Sequence, residues 1–365
     1  MAGEVSAEQL LRAAGEACEL QLRTWVDRLG GSAGKVAAYQ FGWSGEGAGQ
    51  GGKFVRAALT LACAGAVGGD RRRAVPAAAA VEVVHNLSLL YDDVLDGDTV
   101  RRHREAAWRV FGPSAAARSA DGLLLTVLDV LVDGDQDGDQ DGDQGGDRSG
   151  DQGGDRSGDR DGAGDGVGRE ASAALLTTLV DLAVGESLDL VFERRDRVGP
   201  DECLEMVAAK TASLFSCACR LGALYGGAGP EAVAGWAAFG HDLGMAFQLV
   251  DDLLGIWGDP AVTGKPVFND LRRRKLSVPV VAALESGTAD GDRLAEEYRR
   301  AAVGEAVDPA GLALLVERAG GRRWTEARAA GHAAAARDRL GALTGDPVAA
   351  AELAALAGLI TDREH

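Results

Sequence analysis

Asp92, Asp93 and Asp96 lie together in the first quarter of the chain, and Asp251, Asp252 and Asp259 in its last third. Each run closes a long apolar stretch and is trailed by basic residues, Arg101 and Arg102 after the first, Lys265 and Lys275 after the second. Asp92 and Asp96 are four residues apart, so on a helix both carboxylates share one face, and His85 lies on that face one layer away. Gln248 and Asp251 repeat the arrangement at i and i+3. Carboxylates placed together repel unless a cation sits between them, and hard divalent ions take oxygen donors of this kind. Guanidinium and ammonium groups nearby can take phosphate oxygens. This inventory suits metal ions held against a diphosphate that is to leave. A lone DDxxD is more simply a solvated helix end with compensating arginines. Two such clusters, each behind an apolar helix, make coincidence a poor explanation.

Helices must position these groups. The apolar residues repeat with helical rhythm over 7–28, 54–67, 76–96, 119–132, 170–193, 201–225, 230–257, 277–287, 308–319, 323–341 and 347–360, and several are apolar on more than one face, as in the middle of a bundle. Of the 365 residues 46% are hydrophobic and only 5% aromatic. Alanine and leucine dominate the apolar set, which favours helix over sheet. The expected fold class is therefore all-α. A net charge of −18 speaks against nucleic acid and anionic membrane surfaces as partners. Half of that charge sits in residues 133–166, where twelve Asp and three Arg give −9 and DQGGDRSG occurs twice in tandem. Such a stretch buries too little apolar surface to offset its ordering entropy, and it reads as a disordered loop inside one domain spanning 1–365. Its spacing matches no EF-hand or nonapeptide calcium repeat.

Five cysteines (Cys18, Cys63, Cys203, Cys217 and Cys219) form no CxxC pair and read as buried free thiols of a reducing compartment. The amino-terminal residues have no basic-then-apolar layout, and no uninterrupted apolar run reaches the ~20 residues that span a bilayer. The expectation is a cytoplasmic protein without a transmembrane segment.

Five motifs in order make the chain resemble the trans-isoprenyl diphosphate synthases, the polyprenyl synthetase family. They are GGKFVR (51–56), HNLSLLYDDVLDGDTVRR (85–102), GESLDL (185–190), KT (210–211) and FQLVDDLLGIWGDPAVTGKPVFNDL (247–271). The resemblance implies an isoprenoid-synthase helical bundle around a central cavity. It implies that Asp92, Asp96 and Asp251 ligate three magnesium ions gripping the diphosphate of an allylic substrate. Arg101, Lys210, Lys265 and Lys275 would complete that cage, with Thr211 and Gln248 near the reacting carbons. Gly52, Lys53, Arg56, His85 and Arg102 match positions that bind isopentenyl diphosphate in the family, and homodimerisation is a family trait.

The chain departs from the usual family text at several points. Gly255 stands where a third aspartate is common, Phe54 replaces a frequent arginine, Glu186 a usual glutamine, and Tyr91 a frequent histidine. Product length in the family depends on the residues below the first aspartates. Here these are Leu87 and Ser88, neither aromatic, which points to a twenty-carbon product, geranylgeranyl diphosphate. Two other readings compete. A class I terpene cyclase normally carries an Asn-Ser-Glu type second metal motif, which is absent here. A non-catalytic subunit of the same fold has no reason to keep mutually repelling carboxylates.

Overall fold

The computed structural model describes residues 6–45, 49, 51–133, 164–192, 194–195, 197–260 and 267–361. In chain order the helices are α1 (Ala7–Leu29), α2 (Gly31–Gln40), α3 (Val55–Ala66), α4 (Val75–Leu95), α5 (Ala107–Phe111), α6 (Pro113–Asp133), α7 (Gly164–Phe192), α8 (Pro200–Val207), α9 (Ser213–Tyr225), α10 (Pro230–Trp257), α11 (Asn269–Arg272), α12 (Val278–Leu284), α13 (Ala289–Ala302), α14 (Pro309–Arg318), α15 (Gly321–Leu343) and α16 (Pro347–Thr361). A π-helical segment, Ala208–Ala212, joins α8 to α9. The strands among the described residues form one hairpin, β1 (Val100–Arg101) with β2 (Arg104–Glu105), so the fold is all-α as expected.

Local chemistry explains many of the boundaries. Pro200, Pro230 and Pro309 stand in the first turns of α8, α10 and α14, where the missing N–H costs nothing. The Asp308 carboxylate accepts from the N–H groups of Ala310 and Gly311, and the Thr288 hydroxyl from Gly291, which caps α14 and α13.

Two compact units are present. The smaller comprises Leu20–Gly51 and Val83–Leu176. Within it α2 and α5 pack on α6, and Leu22, Trp25, Val36, Leu90, Leu123 and Val127 are among its buried residues. The larger comprises Met1–Glu19, Gly52–Glu82 and Thr177–His365. There α10 packs on α9 and α15, α3 on α9, and α12 on α15. One core of this unit gathers Met245, Leu249 and Leu254 with Val278 and Val281, and a second gathers Ile256, Leu271, Leu294, Leu312 and Val316. Each fully buried leucine contributes about 1.5–3 kcal/mol, so α10 is firmly seated along most of its circumference.

Several elements differ from the sequence reading. Residues 201–225 are not one helix but two, with the π segment between them. Gly30 and Gly31, just past the helix expected over 7–28, have positive φ values of 57° and 49°, and α2 begins at once. The polar α13 was missed because only Leu294 and Tyr298 supply its apolar face. α6 starts at Pro113 and ends at Asp133, and α7 starts at Gly164, so both ends of the expected 133–166 loop are helical. The remainder of that loop lies outside the described residues.

All five cysteines are buried and free, and burial pushes the Cys18 thiol up to about 12. Among the described residues one stretch, Arg71–Leu95, is long and apolar enough to cross a membrane, and 67% of its apolar window is buried within the protein.

Candidate active site

In the smaller unit α4 carries His85, Ser88, Asp92 and Asp96, half-buried or exposed, at helical spacing. Asp96 follows the last α4 residue, but its N–H still donates to the Asp92 carbonyl at 2.8 Å, so the strip continues one step past the helix end. Asp93 points the other way. It is 1% exposed, and its Oδ1 accepts from Arg101 Nε at 2.8 Å and from Arg101 Nη2. Its Oδ2 finds no hydrogen-bond partner among the described residues. Burial raises the Asp93 pKa, and the Arg101 guanidinium opposes that rise.

The hairpin after α4 aims the two arginines. Its two-residue loop, Arg102-His103, has φ values of 51° and 60°, the signature of a type I′ turn made without glycine. Left-handed backbone of this sort costs about 1–2 kcal/mol per residue and persists only where the surroundings enforce it. They do so here. Arg104 donates to the carbonyls of Tyr39 (3.2 Å) and Ser44 (2.7 Å), Tyr39 Oη donates to the Glu105 carbonyl, and Trp108 Nε1 donates to the Asp98 carbonyl. Arg102 Nη1 thereby reaches Asn86 Oδ1 at 3.4 Å and the Gln40 carbonyl at 3.3 Å.

In the larger unit α10 carries the corresponding open strip, His241, Gln248, Asp251 and Gly255. A chain of hydrogen bonds fixes Gln248: Thr211 Oγ1 donates to Gln248 Oε1 at 2.8 Å, and Gln248 Nε2 donates to Asp252 Oδ1 at 2.8 Å. The other Asp252 oxygen accepts the Val278 N–H at 2.9 Å, which pins α12 to α10. Burial raises the Asp252 pKa to about 6, against the pull of Lys275 and these two hydrogen bonds. Burial alone would discharge Lys275, but Asp252, Asp270, Asp189 and Asp251 more than reverse this and hold it protonated. Lys210 and Thr211 sit in the π segment, a form that recurs at functional sites. Lys210 Nζ lies 2.7 Å from both Glu186 Oε2 and Asp189 Oδ2. Gly185 permits this approach, since a Cβ there would stand 2.4 Å from the Lys210 backbone nitrogen.

The glycine in place of a third aspartate has a structural cause. A Cβ at Gly255 would lie 2.2 Å from Asp270 Oδ2, so the buried Asp270 carboxylate occupies the space a side chain at 255 would need. Nearer the chain's start, Phe54 takes a left-handed φ of 55° to open α3, and the Arg56 guanidinium lies 4.5 Å over the Phe215 ring. Among the described residues the non-glycine positions with positive φ are Phe54, Arg102, His103, Phe268 and Arg274. Three of the five fall inside the quoted motifs, His103 directly follows the second of them, and Arg274 lies three residues beyond the last.

Among the described residues no group of three or more histidine, cysteine or acidic side chains could hold a metal ion by itself. The all-oxygen donor set nevertheless fits magnesium, which is commonly bound by one or two carboxylates together with water and substrate phosphates. Asp92, Asp96 and Asp251, on the open strips of α4 and α10, are the carboxylates that suit this. The polyprenyl synthetase family model matches residues 46–309. The chain belongs to the polyprenyl synthetase family. It is a prenyl diphosphate synthase by class. It is 39% identical to a geranylgeranyl diphosphate synthase of Mycobacterium tuberculosis, over 97% of this chain and 93% of the relative. It is 36% identical to a (2E,6E)-farnesyl diphosphate synthase of the same species, over 94% and 89%. A crystal structure of a polyprenyl synthetase from Streptomyces coelicolor superposes with a TM-score of 0.83 at 37% identity, covering 96% of this chain and 98% of that one.

As a polyprenyl synthetase the chain brings Lys210, Thr211, Gln248, Asp251 and Lys275 together in the larger unit, and His85, Asp92, Asp96, Arg101 and Arg102 in the smaller. Gly52, Lys53 and Arg56 lead into and open α3. Lys265 lies outside the described residues. The supporting roles of Asp93, Asp189, Asp252 and Asp270 are not legible in the sequence, although all four lie in the quoted motifs. The adjacent Asp-Asp pairs hinted at the division between an outward and an inward carboxylate, but the partners of the inward ones are far away in sequence.

Proposed function

We propose that this chain condenses isopentenyl diphosphate with an allylic diphosphate, with magnesium bound at Asp92, Asp96 and Asp251, to give all-trans geranylgeranyl diphosphate. The observation that carries the reading is the open carboxylate strip on each of α4 and α10, in a chain 39% identical along nearly its whole length to a geranylgeranyl diphosphate synthase. Bound magnesium, three ions in this reading, neutralises the charge that develops on the leaving diphosphate. Arg101, Lys210, Lys265 and Lys275 add cationic donors to the same phosphates. Gln248, locked between Thr211 and Asp252, presents a fixed amide and hydroxyl edge to the allylic carbons. Gly52, Lys53, Arg56, His85 and Arg102 hold the diphosphate of the second substrate. Its double bond attacks the allylic carbon as the carbon–oxygen bond breaks, and the proton lost afterwards goes to the departing diphosphate.

Leu87 and Ser88 support a twenty-carbon product. The Ser88 hydroxyl folds back onto the His85 carbonyl at 2.9 Å and Leu87 is 5% exposed, so neither presents a bulky stop on the α4 strip. α7 leaves Leu176, Val180, Val184 and Val191 exposed along one side, an apolar face suited to a homodimer. Five buried free thiols suit the reducing cytoplasm. Incubation with magnesium, isopentenyl diphosphate and farnesyl diphosphate, followed by mass analysis, should yield a single twenty-carbon diphosphate. Arrest at fifteen carbons from a ten-carbon primer would instead make it a farnesyl diphosphate synthase, and no elongation from any allylic primer would remove the catalytic reading.

A further inference from the structure

Lys210 is held by more negative charge than a phosphate-gripping lysine needs. Its ammonium has three donors, and two are taken at 2.7 Å by Glu186 and Asp189, one turn apart on α7. The three side chains are only 18–23% exposed. Glu186 and Asp189 set two negative charges against the one positive charge of Lys210, and the nearby Lys275 shares Asp189. Glu186 is the residue in excess. Its Oε2 contacts Lys210, while its Oε1 is buried without a hydrogen-bond partner among the described residues. The rigidity of the contact is built in: Gly185 lets α7 press against the backbone of the π segment, which fixes the ammonium between the two acids.

From this geometry we infer that Glu186 is a positioning residue that loosens the hold of Lys210 on diphosphate, orienting its ammonium while weakening its charge so that pyrophosphate is released after condensation. The inference rests on the reading that Lys210 contacts the allylic diphosphate. Asp189 alone would leave a neutral pair that attracts a diphosphate more strongly. With both acids present, an arriving phosphate competes against two carboxylates for one ammonium. The effect is electrostatic, so it depends on the charge at 186 and weakens with salt.

The test is calorimetric titration of the full-length protein with inorganic pyrophosphate and magnesium, with steady-state kinetics alongside. Glu186→Gln keeps the shape and removes the charge. It should bind pyrophosphate about fivefold more tightly, the scale of one partly exposed ion pair, and lower the KM for the allylic diphosphate by a similar factor. Glu186→Asp retains the charge and should behave like the native chain, and the gap between native and Glu186→Gln should narrow at high salt. Unchanged or weaker pyrophosphate binding in Glu186→Gln overturns the inference, as does equal tightening in Glu186→Asp, which would mark shape rather than charge. Should Glu186→Gln fail to fold, Asp189→Asn removes the same unit of charge and must show the same tightening. A native chain that binds pyrophosphate but elongates no primer would remove the proposed reaction while leaving the role of Glu186 to the titration.

Discussion

The Asp92-Asp93 pair on α4 and the Asp251-Asp252 pair on α10 divide their work in the same way and anchor it differently. In each, the first aspartate stays on the open strip and the second turns inward. Asp93 is anchored by an arginine only eight residues on, within its own hairpin. Asp252 is anchored by Gln248 on its own helix, the Val278 N–H at the start of another, and the charge of Lys275. The first pair therefore holds a local loop, and the second holds two helices of the larger unit to each other. One sequence motif thus combines an open-facing carboxylate with one that serves the architecture, and the architecture differs with its neighbourhood.

The comparison can be broken most decisively through the outward residues. Asp92→Ala and Asp251→Ala should each lower the condensation rate by about a thousandfold or more, with unchanged helical circular dichroism, if both hold charge-neutralising metal. Normal turnover in either would falsify the shared role. Stability should rank the inward residues in the opposite sense. Asp252→Ala strands Lys275 and the Val278 N–H and should cost roughly 3–5 kcal/mol, whereas Asp93→Ala leaves a partly exposed Arg101 that water can serve and should cost roughly 1–3 kcal/mol. Urea denaturation of both variants gives the order, and equal losses would erase the proposed difference in anchoring.

Smaller effects sharpen the picture of each strip. Ser88→Phe places a ring one turn before Asp92 and should shift the product from twenty to fifteen carbons, read by mass analysis, with little change in the rate of the first condensation. On α10 burial lowers the His241 pKa below its ordinary 6.5, the nearby Asp242 opposing and His332 and Arg339 reinforcing. The unfolded chain then takes up the proton more readily than the folded one, so native stability falls as pH drops through about 6.5 and is fully present above it. His241→Gln should flatten that acid limb in denaturation curves at pH 5.5 and 7.5, and an unaltered slope would assign it to other groups.

Much of this was legible in the sequence because it is local. Pro230 and Gly258 bracket α10 at the expected residues, and the helical spacing of His85, Ser88, Asp92 and Asp96 did lie along one open strip. What escaped depends on distant neighbours or unusual backbone. Nothing near residue 252 announces Val278 as its partner, nor does anything near 255 show that Asp270 fills the space there. The Arg102-His103 turn was hidden because type I′ turns are ordinarily signalled by asparagine and glycine, and neither is present.

The π segment at 208–212 makes the chain intolerant of length changes in one short window. It takes in one residue more than an α-helical turn would, and that surplus sets the phase between α8 and α9. Deleting a single residue there would let ordinary helix run straight through and rotate everything on one side by about 100°. Lys210 could then no longer meet α7 while Thr211 meets α10, whichever residue types were kept. In this stretch the count of residues matters to the candidate site as much as their identity.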